Sequence, residues 1–172
     1  MPKHEETRVL PYSPEQMYQL VGDVARYPEF LPWCSAARVR SVTPIDDGEE
    51  MLADLVIGFQ VFRERFGSRV RMFEGDARIE TEYLDGPFKY MRSNWRFVSA
   101  EGGCEVRFDV DFEFKNFLLQ KAGGLFFYEA MQRIVKAFEA RAKELYGRMH
   151  LRHWRRSMRR SERRRCLARR LM

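Results

Sequence analysis

The fold depends on one stretch, FLLQKAGGLFFYEAMQRIVKAFEARAKELY, which occupies residues 117–146. Its apolar residues recur at steps of three and four, the pattern of an amphipathic helix about seven turns long. That apolar stripe consists of Leu125, Met131, Ile134, Val135, Phe138, Ala142 and Leu145. Gly147 predicts the helix end, and Gly123-Gly124 predicts a bend near its start, because each glycine costs about 1 kcal/mol relative to alanine. Two interpretations remain open: a core helix only, or one wall of a ligand cavity.

The segments before this helix alternate between apolar and charged residues with a period of two. The clearest is residues 105–114, EVRFDVDFEF, which predicts a strand with one dry face and one wet face. About six such segments lie between residues 37 and 114, and residues 5–10 predict an earlier strand. A short helix is predicted from Ser13, with Gln16 completing a capping box. The order predicts an α+β fold, a curved antiparallel β-sheet wrapped around a long C-terminal α-helix.

Residues 24–34, VARYPEFLPWC, form an unusually apolar connection between the short helix and the strands. Two prolines four residues apart exclude a long helix here. The segment nevertheless carries Tyr27, Phe30, Leu31 and Trp33. We expect these four side chains to be buried in the core or to surround the mouth of a pocket.

Composition indicates one globular domain in a reducing compartment. The chain has 172 residues, of which 45% are hydrophobic, and three scattered cysteines do not suggest a disulfide framework. No apolar run approaches the roughly 18 residues of a membrane span, and residues 1–10 lack the apolar core of a signal peptide. We expect a cytoplasmic protein, with peripheral attachment to the inner membrane left open.

The net charge of +6 is divided unevenly along the chain. Residues 148–172 contain eleven arginines and one acidic residue, giving +10, while the remaining body holds 20 basic and 24 acidic residues, giving −4. Three interpretations of this tail stay open: a solvated extension, a surface helix on anionic lipid, or contact with RNA or the ribosome. Both partners are polyanions, so the tail alone does not separate them.

Residues suited to catalysis are scarce. No phosphate-binding loop, dinucleotide fingerprint, nucleophile elbow or paired-cysteine motif occurs. His4 lies near the N-terminus, and His150, His153 and Cys166 lie in the arginine-rich tail, where they make a weak zinc signal. We therefore expect neither an enzyme nor a metal site.

The strand pattern predicts an apolar interior with a few polar groups. Glu64, Ser68 and Ser93 share the parity of neighbouring aromatic residues, so each either meets a local partner or solvent, or holds a polar group of a ligand. The other predicted cavity residues are apolar: Phe59, Phe66, Trp95, Phe108, Phe112, Met131 and Ile134. Burial of a prenyl chain in such a cavity contributes roughly 0.8 kcal/mol per carbon removed from water. The pattern favours binding of a small apolar molecule.

Residues 24–34 resemble the YPxFLPWC segment of the Coq10/RatA group of START-like, helix-grip proteins. Weaker matches follow in the same order along the chain, at residues 62–66, 86–89, 95–97, 112–115 and 137–142. The resemblance covers residues 3–147, so we expect a START-like domain at residues 1–147 and an appended tail at residues 148–172. It implies a helix-grip fold with a cavity between sheet and helix. Gly123-Gly124 departs from the family pattern where its helix begins.

The resemblance implies two alternative functions. In the Coq10 branch the cavity would bind the isoprenoid tail of ubiquinone, and the protein would serve respiration as a lipid chaperone or carrier without a further cofactor. Tyr27, Phe30, Leu31 and Trp33 would then form a lip able to meet a membrane. In the RatA branch the protein would associate with the large ribosomal subunit as a toxin. Polyketide cyclases share the wider superfamily, but no acid–base pair supports that chemistry here.

Overall fold

The computed structural model describes residues 3–59, 62–118, 120–121 and 127–147. In chain order its elements are β1 (Lys3–Leu10), α1 (Pro14–Gly22), a 3-10 helix (Val24–Glu29), β2 (Cys34–Ile45), β3 (Gly48–Phe59), β4 (Phe62–Phe73), β5 (Arg78–Asp85), β6 (Phe88–Ala100) and β7 (Gly103–Phe114). The chain is also helical at residues 117–118, at 120–121 and over 127–147, the last of which we name α2. The tail and Gly123-Gly124 lie outside the described residues.

The strands form one antiparallel sheet in the order β1-β7-β6-β5-β4-β3-β2. Strands β2 to β7 follow one another as hairpins, and β1 closes the sheet by pairing with β7. The connection from β1 to β2 therefore runs from one edge of the sheet to the other, and it contains α1 and the 3-10 helix. This architecture confirms the predicted α+β fold.

One face of the sheet is dry, as the alternation predicted. Along β6, Ser93, Trp95 and Phe97 are buried, whereas the intervening Asn94 and Arg96 are exposed. Strands β3 to β7 all place side chains in one cavity with α2. Five flat strands about 4.8 Å apart would be wider than a helix of roughly 10 Å diameter, so the sheet must curve around it.

Helix α1 begins with the predicted capping box. The Gln16 backbone N–H donates to Ser13 Oγ at 3.1 Å, and the Ser13 backbone N–H donates to Gln16 Oε1 at 2.9 Å. Pro14 occupies the first turn, where its missing N–H costs nothing. The helix buries its apolar side chains against the sheet: Met17, Tyr18, Leu20 and Val21.

Helix α2 buries most of its predicted stripe, including Val135, Phe138 and Ala142. The prediction for Leu145 was wrong, because its side chain is 43% exposed. The inward position of the last turn belongs instead to Tyr146, four residues after Ala142. Its hydroxyl donates to the Gln16 backbone oxygen at 3.2 Å. Leu125 lies outside the described residues.

Candidate functional site

A cavity of about 220 Å³ lies between the concave face of the sheet and α2. Its walls come from α1, the 3-10 helix with the following loop, strands β3 to β7, and α2. Phe138 of α2 stands over Trp95 of β6 with ring centroids 5.2 Å apart. The long helix is therefore both a core element and one wall of the cavity, so the interpretation as a core helix only is wrong.

Ten of the fourteen residues predicted from the sequence line this cavity. They are Tyr27, Leu31, Phe66, Ser68, Ser93, Trp95, Phe108, Phe112, Met131 and Ile134. They come from the 3-10 helix and the loop after it, the middle of β4, the paired strands β6 and β7, and one turn of α2.

Three of the other four predicted residues, Phe30, Trp33 and Glu64, are not part of its lining. Phe30 packs beside it, with its ring 5.3 Å from that of Phe138. Trp33 is half-buried with a positive φ of 64°, and the Arg133 guanidinium lies 5.8 Å from its ring centroid. Glu64 has the inward parity but lies near the β3–β4 turn, where its side chain is exposed. The Phe59 side chain is outside the described part of the structure.

Several lining residues were missed, although the alternation contained the signal for them. Thr81 has the parity of the buried Ile79 on β5, and Val110 has the parity of Phe108 and Phe112 on β7. The remaining lining residues are also apolar: Val21, Val24, Leu55, Ile57, Val70, Ile79, Met91 and Phe138. Parity identifies the inward face of a strand, but it does not show which inward residues border a cavity and which fill the core.

The connection at residues 24–34 forms one wall of the cavity. The Tyr27 hydroxyl donates to the Val21 backbone oxygen at 2.5 Å, and burial raises the pKa of this phenol, which keeps it neutral. Glu29 forms an ion pair of 2.6 Å with Arg141 of α2. The prediction that the loop either enters the core or surrounds a pocket is met in both ways, since Phe30 packs in the core and Leu31 lines the cavity.

An outer groove runs between this loop and α2. It has a volume of about 490 Å³ and is lined by Pro28, Glu29, Phe30, Leu31, Pro32, Arg133, Lys136 and Ala137. Leu31 borders both this outer groove and the cavity. The outer groove thus presents apolar loop side chains beside two basic side chains of the helix.

The polar groups of the cavity are hydroxyls and the Trp95 indole. Ser68 Oγ donates to the Ala53 backbone oxygen at 3.2 Å, so this hydroxyl has the local partner that buried serines usually find. Thr81 and Ser93 face each other across β5 and β6. No acidic, basic or imidazole side chain of the described residues lines the cavity.

Groups suited to proton transfer or metal binding lie elsewhere. His4 belongs to β1, one residue before the predicted start of that strand, and is buried with its Nε2 2.9 Å from Glu6 Oε2. Within the described ranges no group of three or more His, Cys, Asp or Glu side chains is placed to hold a metal. His150, His153 and Cys166 fall outside those ranges. The same part of the chain contains no helix long and apolar enough to cross a membrane.

A seven-stranded antiparallel sheet gripping one long helix over an apolar cavity defines the helix-grip, START-like class of proteins. Residues 10–139 match the profile of a family described as polyketide cyclase / dehydrase and lipid transport. The chain belongs to this family, and within it to the Coq10/RatA group.

Named relatives come from both branches of that group. The ribosome association toxin RatA of Rickettsia prowazekii is 37% identical over 144 residues, which cover 82% of this chain and 96% of the relative. The mitochondrial coenzyme Q-binding protein COQ10 homolog B of Xenopus laevis is 33% identical over 154 residues, covering 87% of this chain and 61% of the relative. The solution structure of an 18 kDa protein from Caulobacter crescentus superposes with a TM-score of 0.72 at 36% identity, covering 86% of this chain and 99% of that one.

Proposed function

We propose that this protein binds a ubiquinone-like prenyl quinone beneath α2 and carries it as a lipid chaperone that supports respiratory electron transport. The observation that carries the proposal is the mostly apolar cavity, whose described lining has no charged side chain and has a few hydroxyls and the Trp95 indole as its polar groups. A molecule with a compact oxygenated ring and a hydrocarbon chain matches such a lining. The Xenopus relative, by its name, binds coenzyme Q.

Binding accounts for this site better than catalysis does. General acid–base chemistry needs a titratable group within hydrogen-bond reach of the reacting atom. The described walls offer serine and threonine hydroxyls and one tyrosine, Tyr27, whose hydroxyl is engaged with Val21 and whose pKa is raised by burial. We therefore propose a binding protein, although cyclases share the family description.

The outer groove supports exchange of the lipid at a membrane surface. Phe30, Leu31 and Pro32 are apolar, and Arg133 and Lys136 stand across the outer groove from them. Each basic residue near an anionic bilayer contributes about 1 kcal/mol of attraction. We place the protein in the cytoplasm, as a START-like domain over residues 1–147 and an arginine-rich tail over residues 148–172, with peripheral contact to the inner membrane.

Extraction of bound lipid tests the proposal. The protein is purified from a quinone-producing host and extracted with organic solvent, and quinone is quantified by mass spectrometry. Val110→Phe inserts a ring into the cavity wall and should abolish the bound quinone, whereas Val98→Phe makes the same change on the exposed face of β6 and should not. Wild-type protein without quinone, or equal loading of both variants, would contradict the proposal.

A second function, association with the large ribosomal subunit, is favoured by the RatA relatives. Their names describe ribosome association toxins, and the chain covers 96% of the Rickettsia protein. The eleven arginines at residues 148–172 provide charge for phosphate contacts. Such contacts would weaken steeply with salt and would not depend on RNA sequence.

Co-sedimentation with purified large subunits tests the second function. The full chain should sediment with the subunits at low salt and lose most binding between about 50 and 200 mM salt. A chain ending at Gly147 separates a contribution of the tail from that of the domain. Failure of both forms to sediment at low salt would rule this function out and leave the lipid proposal unaffected.

A further inference from the structure

Two hydroxyls lie side by side in the cavity wall. Thr81 of β5 and Ser93 of β6 are directly paired across the antiparallel ladder, and both line the cavity. Residues paired in this way have Cβ atoms about 5 Å apart, so one oxygen atom can reach both hydroxyls. The Ser93 residue is 9% exposed, and Thr81 is half-buried.

Neither hydroxyl has a hydrogen-bond partner among the residues that the structure describes, in contrast to Ser68, which donates to Ala53. Neither oxygen is among the fully buried, unsatisfied side-chain atoms of the described residues, so each hydroxyl is accessible on the cavity wall and free to bond a molecule there. Two such hydroxyls at one spot of an otherwise apolar wall fit an oxygen atom of a ligand.

The cavity volume limits which part of a prenyl quinone sits there. At about 220 Å³ it is smaller than the roughly 300 Å³ at which ligand pockets usually begin. A substituted ring fits this space, whereas a long isoprenoid chain does not. The outer groove on the surface lies next to this space, and Leu31 borders both.

We infer that the ligand enters ring first, with a ring oxygen bound by the hydroxyls of Thr81 and Ser93, and that its tail leaves past Leu31 along the outer groove. This inference rests on the proposed lipid-binding function and specifies its orientation. It reverses the expectation from the sequence, in which the cavity held the isoprenoid tail. The hydroxyls donate to a quinone carbonyl, and the apolar wall around them excludes water.

Two probes with the same tail test this orientation by isothermal titration calorimetry. One is a dimethoxybenzoquinone with a decyl chain, and the other is decylbenzene, which has no ring oxygen. Thr81→Val and Ser93→Ala each remove one hydroxyl. Each should weaken binding of the quinone probe about fivefold to tenfold and have little effect on binding of decylbenzene. Thr81→Ser keeps the hydroxyl and should retain the affinity, so it controls for damage to the wall. Thr43→Val, on an exposed position of β2, should change neither affinity.

The possible results distinguish failure of the ring-first orientation from failure of the proposed lipid-binding function. Wild-type affinity of Thr81→Val and Ser93→Ala for the quinone probe would overturn the ring-first orientation while leaving lipid binding intact. If neither probe binds the wild-type protein, the proposed function fails together with the inference.

Nuclear magnetic resonance gives an independent readout of position. With the quinone probe bound to the full-length protein, nuclear Overhauser contacts from the ring methoxy protons should reach Ser93, and contacts from the chain should reach the Leu31 methyls. The reverse pattern would overturn the inference even if both variants lost affinity.

Discussion

Tyr27 packs the apolar connection at residues 24–34 against the core through both its ring and its hydroxyl. Its ring meets the edges of Phe30 and Phe138, at centroid distances of 5.9 and 5.6 Å. Its hydroxyl donates to the Val21 backbone oxygen near the end of α1. Tyr27 therefore links α1, the connection at residues 24–34 and α2 beside the cavity.

The contribution of the Tyr27 hydroxyl to stability can be measured with Tyr27→Phe, which keeps the ring. Loss of the hydrogen bond to Val21 should destabilise the protein by about 1–2 kcal/mol, which for a chain of this size lowers Tm by roughly 3–6 °C. Tyr12→Phe is the matched control, because the Tyr12 hydroxyl makes no hydrogen bond with any described residue. Calorimetric melting curves compare the two, and equal melting temperatures would contradict this role for Tyr27.

Period-two parity along a strand predicted correctly which residues face the inside of the sheet. Ser68, Ser93 and Trp95 line the cavity because period-two alternation fixes which face of a strand they occupy. Parity failed for Glu64, which shares the inward face but reaches solvent near the β3–β4 turn. Parity also does not predict the position of Trp33, because this residue precedes β2 and its positive φ turns the backbone there.

The contact between β1 and α2 depends on a polar network at the side of the cavity. The Arg8 guanidinium donates to Glu6 Oε1 at 2.5 Å, to Glu139 Oε1 at 2.8 Å and to Gln132 Oε1 at 3.2 Å. His4 completes the network from the other side of Glu6. Sequence reasoning predicted both elements but not this connection, because nothing in the local pattern pairs residues about 130 positions apart.

This network predicts a pH dependence of stability. Burial of Glu6 opposes its ionisation, but hydrogen bonds from His4 and Arg8 together outweigh that effect and lower the pKa below its ordinary value of 4.5. A carboxyl whose pKa is lower in the folded state stabilises the fold above its unfolded pKa, and this contribution disappears as the pH falls through the folded value. The stability of the wild-type protein should therefore decrease as the pH drops below 4.5.

Glu6→Gln should remove that part of the pH dependence and lower stability at neutral pH by about 1–3 kcal/mol, because charge-assisted bonds are replaced by weaker neutral ones. Glu5→Gln, on the exposed face of β1, should follow the wild-type curve closely, since exposed pairs contribute little. Urea unfolding at a series of pH values measures both. A Glu6→Gln curve parallel to that of the wild type would show that this carboxyl does not contribute.

The whole molecule combines a tightly paired sheet with an interior that is not completely filled. The alternation and the helical stripe predicted the curved sheet and the helix it surrounds, because both follow from local periods. They did not predict the size of the cavity, which depends on the sum of side-chain volumes across five strands and three helices. The side chains that line a cavity of about 220 Å³ lack packing contacts on one side, and a bound molecule would supply them.

A ligand that restores those contacts should therefore raise the melting temperature of the whole domain. At a free concentration 100 times its Kd, the decyl quinone probe stabilises the folded state by about 2.7 kcal/mol, equivalent to roughly 5–10 °C in Tm. Val110→Phe fills part of the same space, so it should melt at or above the wild-type temperature and show no response to the probe. Val98→Phe should respond as the wild type does, because its ring lies on the outer face. Differential scanning calorimetry with and without probe measures all three proteins, and a Val110→Phe protein that still gains 5–10 °C would show that the stabilising site lies outside the cavity beneath α2.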